Sequence, residues 1–345
     1  MTKASKKTYR VGIIGAGAIA QGCHLPGYKK LDNVELVAYA DPNEERHAEV
    51  EELFPGMKGY KNYKSMLAKE KFDVISVCTP NRDHAKATIA ALEAGCHVLC
   101  EKPMATTLKE ADAMAEAAKK ARKKLMVGFT HRLMAGPQAC KEMLQNKQLG
   151  KPFSIRVRFA HGGPYPGWAK DPESFYNPKI AAGGAMLDMG IHAIDLALWL
   201  FGPVKSVMAR AVTLVKKIKV DDNALLLLQF ANGSLGSIEV GWTSKPGFTG
   251  VEIYGTEGSL ICDYMKGLFL CGGKASAGQD SVTEWKTLDK APTKGGWETE
   301  IAHWIDIVDG KAKLEMNWKA GRAALEVALA AYASSKSGKE VVLDT

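Results

Sequence analysis

The sequence predicts an α/β protein: a doubly wound parallel sheet first, then an α+β domain built on a largely antiparallel open sheet. Three observations carry this. Short β-rich runs alternate with helical stretches as far as about residue 130, as in a parallel sheet with crossover helices. A glycine-rich turn joins the first run to the first helical stretch. Beyond residue 130 longer β-rich runs take over, and Asn232-Gly233 between two of them signals a tight hairpin.

The elements follow in order. Tyr9 to Ile14 is a β-rich run ending at Gly15, and Ala18 to Lys30 is helical. Val34 to Ala40 is a second strand, stopped by Asp41-Pro42, and Glu44 to Leu53 has helical composition. Phe72 to Cys78 is a third strand, stopped at Thr79-Pro80, and Asp83 to Glu93 is helical up to Gly95. His97 to Cys100 is a strand, Leu108 to Arg122 an alanine-rich helix, and Leu125 to Gly128 a further strand. Phe153 to Ala160 alternates like a strand, a Gly/Pro-rich loop covers 162–167, and a helix covers about 184–201. Strands are then expected over 203–214, 223–230, 234–242, 249–255 and 258–263, a flexible loop over 272–280, and helices near 298–309 and 318–334. The expected domains are 1–130 and 131–345, the closing helices being free to pack back on the first domain.

Composition narrows the function. Of 345 residues, 46% are hydrophobic and 24% charged, which excludes a mainly disordered chain, a collagen and a small disulfide scaffold. The net charge of +8 fits an acidic partner, anionic small molecules or a solvated basic surface. The basic residues are scattered and no basic block is interleaved with aromatics, so no nucleic-acid partner is expected. No apolar run reaches the roughly eighteen residues of a membrane helix, and no signal peptide is expected in the polar, basic start. The seven cysteines are odd in number and lack a CxxC pair. Cys96, His97 and Cys100 are a weak metal pattern; reduced thiols in a cytoplasmic protein, with no metal, account for them.

Gly15-Ala16-Gly17-Ala18-Ile19-Ala20 fits GxGxxA between a strand and a helix, the context that a dinucleotide fingerprint requires. Gly15 permits the tight turn, Gly17 lets the backbone approach a pyrophosphate, and Ala20 allows close helix–strand packing. The N–H groups at the helix start, at Ala16, Ala18 and Ile19, are suited to phosphate. Asp41, at the end of the second strand, either accepts both ribose hydroxyls or caps the Asp41-Pro42 turn. A carboxylate there repels a 2′-phosphate, so NAD is expected over NADP. Thr79-Pro80-Asn81 and Glu101-Lys102-Pro103 close the third and fourth strands, where ligands of such sheets bind.

The segment Gly183 to Trp199 carries the strongest signal. From Ala185 to Phe201 the ionisable side chains are Asp188, His192 and Asp195, at i, i+4 and i+7, one stripe of an otherwise apolar helix. Burying carboxylates without partners costs several kcal/mol, so the stripe either lines a polar cleft or is internally satisfied. Tyr165, Trp168 and Trp297, in expected loops, are candidates for stacking on a ligand ring.

GAGAIA at 15–20, EKP at 101–103 and GGAMLDMGIHAID at 183–195, followed by a strand-rich half, resemble the glucose–fructose oxidoreductase / inositol dehydrogenase / rhizopine catabolism (Gfo/Idh/MocA) family across nearly the whole chain. The resemblance implies a Rossmann domain, then an α+β domain whose open sheet forms homodimers or homotetramers. It also implies NAD(P)-dependent oxidation or reduction of a sugar or polyol. Carried over by position, Lys102, Asp188 and His192 are the catalytic set, with either Lys102 or His192 as final proton acceptor. Asp195 and Arg132 contact substrate, and Asn81 and His84 flank the nicotinamide. An imidazole with pKa about 6.5 suits acid–base work near neutrality. The alternatives are a non-catalytic NAD-responsive regulator or scaffold of the same fold, and a reductase of a non-sugar cyclic diol.

Overall fold

The computed structural model of the chain describes residues 7–164, 172–245, 247–272 and 284–344. Two compact units emerge, Met1–Gly128 with Trp297–Arg322, and Phe129–Gly296 with Ala323–Thr345.

The first unit is built on six strands: β1 (Tyr9–Ile14), β2 (Val34–Ala40), β3 (Lys58–Tyr60), β4 (Val74–Val77), β5 (His97–Cys100) and β6 (Leu125–Val127). Their order is β3-β2-β1-β4-β5-β6, and every neighbouring pair is parallel. Val11, Ile13, Val74, Ile75, Val98 and Leu99 are buried, as expected of central strands covered on both faces. The strand order reverses at β1 and β4, so the carboxyl ends of these strands flank the crevice where such sheets bind ligands. The helix Leu108–Ala121 starts with a capping box, Thr107 and Glu110 bonding each other's backbone N–H. The closing helix Trp297–Val308 packs on this unit, with Ile301 against Gly27 so closely that a Cβ there would lie 2.8 Å away.

Strand β3 and the helix Tyr63–Lys69 are not anticipated by the sequence pattern. The stretch is polar and short in period, and β3 is an edge strand of three residues. Gly59 is fixed there because a Cβ would sit 2.6 Å from the His47 ring and 2.7 Å from the Tyr39 hydroxyl.

The second unit holds nine strands: β7 (Pro152–Ala160), β8 (Val204–Val212), β9 (Asn223–Phe230), β10 (Leu235–Gly241), β11 (Phe248–Gly255), β12 (Gly258–Asp263), β13 (Gly267–Gly272), β14 (Trp285–Asp289) and β15 (Val341–Val342). Their order is β14-β13-β12-β11-β7-β10-β9-β8-β15; β7 and β10 are parallel and the other neighbours antiparallel. The inner face, with Ile155, Val157, Phe159, Leu226, Leu228, Ile238 and Val240 buried, takes the apolar helix Ile191–Phe201. On the outer face Leu225, Leu227 and Leu235 are 60%, 62% and 59% exposed, among ion pairs of Arg156 and Arg158 with Glu239 and Glu252. Toward the β8 edge the Ser334 and Ser335 hydroxyls accept the N–H groups of Ala209 and Ala211, which protects that strand from foreign pairing.

The helix Ala135–Gln145, strands β13 and β14 and the short β15 were not expected. Gly136-Pro137 at its start hides that helix from a propensity reading. The loops expected at 162–167 and 272–280 fall largely outside the described residues. The stretch Pro178–Phe201 is long and apolar enough to cross a membrane by length and composition, but most of it is buried inside the protein, as in a core helix.

Candidate active site

In the first unit the glycine-rich turn connects β1 to a helical run over 18–29. Gly15 has φ +88°, and a Cβ there would lie 2.7 Å from the backbone of Cys78 and Thr79 at the end of β4. A Cβ on Gly17 would meet nothing within 4 Å, so its missing side chain leaves open space at the helix start. Asp41 braces this turn. One of its carboxylate oxygens accepts the Ala16 N–H at 2.8 Å and the other the Asn43 N–H at 2.9 Å. Both readings of Asp41 thus start from a carboxylate held against the glycine-rich turn. Gln21 was missed in the sequence; its amide donates to Ala16 O and to Glu49. The nearby Arg46 is paired with Glu49 at 2.9 Å.

Thr79 Oγ1 is buried without a hydrogen-bond partner at the end of β4, an orphaned polar atom beside the Gly15 turn. Asn81 starts a short 3-10 turn after it. These features fit a dinucleotide: an open turn for pyrophosphate, a helix start and an unsatisfied hydroxyl. The residues that would hold it are the N–H groups of Gly17, Ala18 and Ile19, Asp41 and Thr79, with Pro80 and Asn81 following; the Ala16 N–H, expected to face phosphate, is taken by Asp41.

His84 is buried, and its ring nitrogens lie 2.7 Å from Pro103 O and 2.7 Å from Thr79 O, so it staples the two strand-end loops together. Burial pulls its pKa below the usual imidazole range, against the two carbonyls, which act in the other direction.

Lys102 follows β5 and is half-buried, and its peptide bond to Pro103 is cis. Behind it Glu101 is buried and accepts from Lys102 N–H at 3.2 Å and from His24 Nε2 at 2.9 Å. Burial would raise Glu101, but His24, Lys102 and His84 together hold it below the usual carboxylate range.

In the second unit the expected helix over 184–201 begins differently. Met186–Gly190 is a π-helical turn, and Ile191–Phe201 continues as α-helix. The turn is wider than an α-turn, so Asp188 is not on a simple i, i+4 stripe with His192, and such bulges concentrate at functional sites. Asp221 pins its entry: it accepts the N–H groups of Gly184 at 2.9 Å and Met186 at 2.8 Å and the Tyr332 hydroxyl at 2.7 Å. Gly184 is obligatory, since a Cβ would lie 1.9 Å from Asp221 O. Burial nevertheless raises the Asp221 pKa, those donors offsetting it only in part.

Asp188 is half-buried, and His192 is only 8% exposed. Beside His192 stands His131, absent from the sequence reading, with ring centroids 4.5 Å apart. His131 also stacks on Tyr264 at 5.6 Å, and its Nδ1 lies 3.2 Å from the Tyr264 hydroxyl. Phe129 and Phe159 close the cluster at the edges of His192 and His131. A lone histidine beside an arginine carries no sequence signal, which is why His131 escaped notice.

Arg132 and Asp195 are brought together. Arg132 Nε and Nη2 donate to the two Asp195 oxygens at 2.7 and 2.5 Å, and both side chains are buried. Each neutralises the other's charge. Burial raises the Asp195 pKa, with Arg132 acting against it. Trp297 is the first residue of a helix, 42% exposed, rather than a loop residue. Tyr165 and Trp168 lie outside the described residues.

Two profiles match the chain: the oxidoreductase family with an NAD-binding Rossmann fold (GFO_IDH_MocA) over residues 9–129, and the GFO/IDH/MocA C-terminal domain over residues 138–261. The chain belongs to the Gfo/Idh/MocA family. It is similar to the D-glucoside 3-dehydrogenase of Escherichia coli (strain K12), 30% identical with 97% of each chain covered. The myo-inositol 2-dehydrogenase of Thermotoga maritima is 31% identical over 74% of this chain and 76% of its own. Among solved structures, levoglucosan dehydrogenase in complex with NADH matches with TM-score 0.84 and 25% identity, over 98% of this chain and 100% of that one. The WlbA dehydrogenase of Bordetella pertussis, in complex with NADH and UDP-GlcNAcA, matches with TM-score 0.80 and 26% identity, over 98% and 100%. This member of the family is an NAD-dependent oxidoreductase.

Proposed function

We propose that this Gfo/Idh/MocA protein oxidises or reduces a sugar, polyol or sugar-derivative hydroxyl, with Lys102, Asp188 and His192 as the reacting side chains. The chemistry NAD supplies when bound is hydride acceptance at the nicotinamide. His192 takes the proton of the reacting hydroxyl, Lys102 stabilises the developing alkoxide, and Asp188 orients the histidine and binds a neighbouring hydroxyl. The observation that supports this reading is the burial of His192, 8% exposed, in an aromatic cluster with the His131 ring 4.5 Å away.

Asp41 sets the cofactor choice in this reading, and Arg46 is engaged by Glu49. A panel of sugars, inositols and cyclic diols with both cofactors, read by absorbance of the reduced nicotinamide, is expected to give turnover on a polyol or sugar with NAD. In Asp41→Ala the preference for NAD over NADP falls by at least about tenfold, as expected for losing a charged hydrogen-bond acceptor. An unchanged preference would refute the role of Asp41. Tight NAD binding without turnover on any substrate would favour a regulator.

The free thiols of all described cysteines suit a reducing cytoplasm. The occupant proposed for the outer sheet face is a second copy of this chain, giving homodimers or homotetramers. Met208, Leu227 and Ser237 form one cross-strand row, and Leu225 flanks it. Exposed leucines so grouped are unfavourable in a monomer. Leu225→Lys with Leu227→Lys is expected to yield monomers in sedimentation velocity with activity-independent folding by circular dichroism. A wild-type chain already monomeric at micromolar concentration would contradict this.

A further inference from the structure

The first unit contains a buried chain of hydrogen bonds that ends on Lys102. It starts at Tyr28, whose hydroxyl lies 2.8 Å from Ser76 Oγ. Ser76 Oγ lies 3.1 Å from His24 Nδ1, and His24 Nε2 lies 2.9 Å from Glu101 Oε1. The second Glu101 oxygen accepts the Lys102 N–H at 3.2 Å. One assignment of protons satisfies every link: Tyr28 donates to Ser76, Ser76 to His24 Nδ1, and His24 Nε2–H to Glu101. Tyr28, His24 and Ser76 are 0% exposed and Glu101 7%, so water does not compete for these groups.

His24 reaches this position at the end of a π-helical turn, Ala20–His24, in the helical run that follows the glycine-rich turn. A wide turn of this kind is tolerated mainly where a side chain must be aimed. Gly128 lies beside the carboxylate, where a Cβ would be in ordinary contact, 3.4 Å from Glu101 Oε1. Around the pair stand Cys23, Cys78 and Cys100, whose thiols burial pushes up, together with His84 and Glu300. Burying a carboxylate here is costly unless it is held on both oxygens, and it is.

We propose that His24 and Glu101 form a positioning dyad for Lys102. His24 fixes the orientation of the Glu101 carboxylate, and the carboxylate fixes the Lys102 backbone and so the start of its side chain. Glu101 is among the expected cofactor-binding residues, but its two oxygens are taken by His24 and by the Lys102 N–H, so in this proposal it acts through Lys102 and not on the cofactor. The inference rests on the reading of Lys102 as the reacting lysine. A lysine displaced by about an ångström loses on the order of a hundredfold in rate, while cofactor affinity is set elsewhere.

The test uses the two amides that mimic the two edges of the ring. His24→Asn reaches Ser76 but not Glu101, and His24→Gln reaches Glu101. His24→Asn is expected to lower kcat by about tenfold to a hundredfold with NAD affinity, by calorimetry, within about threefold of wild type. Exchange of the Lys102 amide hydrogen, followed by mass spectrometry, accelerates in parallel by at least about tenfold. His24→Gln restores both. Glu101→Ala, which deletes the acceptor, reproduces the effects of His24→Asn and replaces it if that variant does not fold. Unchanged Lys102 amide exchange in these variants, or a loss that His24→Gln does not recover, would overturn the proposal. Lys102→Ala runs alongside: near-normal turnover there would sink the role of Lys102 itself, while the amide exchange still reports on the dyad.

Discussion

Lys102→Ala and His192→Ala each lower turnover on the best substrate of the panel by at least about a hundredfold, the usual range for removing an acid–base or charge-stabilising group. NAD affinity, measured by calorimetry, changes little, because the turn at 15–19, Asp41 and Thr79 would hold the dinucleotide. The two variants differ in their pH response. Losing His192 removes the proton acceptor and with it a pH-dependent limb of the kcat profile. Losing Lys102 depresses the rate across the range. Near-normal turnover in both Lys102→Ala and His192→Ala would end the catalytic reading.

Asp195→Ala is the largest stability change expected. It leaves the Arg132 guanidinium buried without its bidentate partner, an arrangement that costs about 3–5 kcal/mol. For a folding unit of this size that corresponds to a Tm lower by roughly 6–20 °C. A double replacement by apolar residues, Arg132→Met with Asp195→Leu, recovers most of the loss, since no charge is then stranded. Differential scanning calorimetry of the single and double variants decides the matter. A Tm within about 2 °C of wild type for Asp195→Ala would show that the pair contributes little and that Asp195 is free for another role.

Much of the fold was legible because its signals are local. The strand-ending glycine turn at Gly15, the stops at Asp41-Pro42 and Thr79-Pro80, and the hairpin at Asn232-Gly233 are each a few residues long. The buried runs of β1, β4 and β5 show in the sequence because a parallel sheet covered on both faces needs continuous apolar segments. The apolar setting of Asp188, His192 and Asp195 was equally visible. Edge elements such as β3 and β14 were not, because most of their residues are exposed and carry little periodicity.

By itself the sequence determined the class of fold, the dinucleotide turn and the short set of ionisable residues in apolar surroundings. Tertiary structure decided what those residues do to one another. Asp195 is held by Arg132, 63 residues earlier, and Glu101 by His24, 77 residues earlier. His84 proved a staple between loops and His131 a neighbour of His192. The reason is physical: a buried polar group must find a partner, and the partner is supplied by packing across the fold. The π-helical turns that aim His24 and carry Asp188 have the same origin, since an extra residue in a turn changes direction without changing composition.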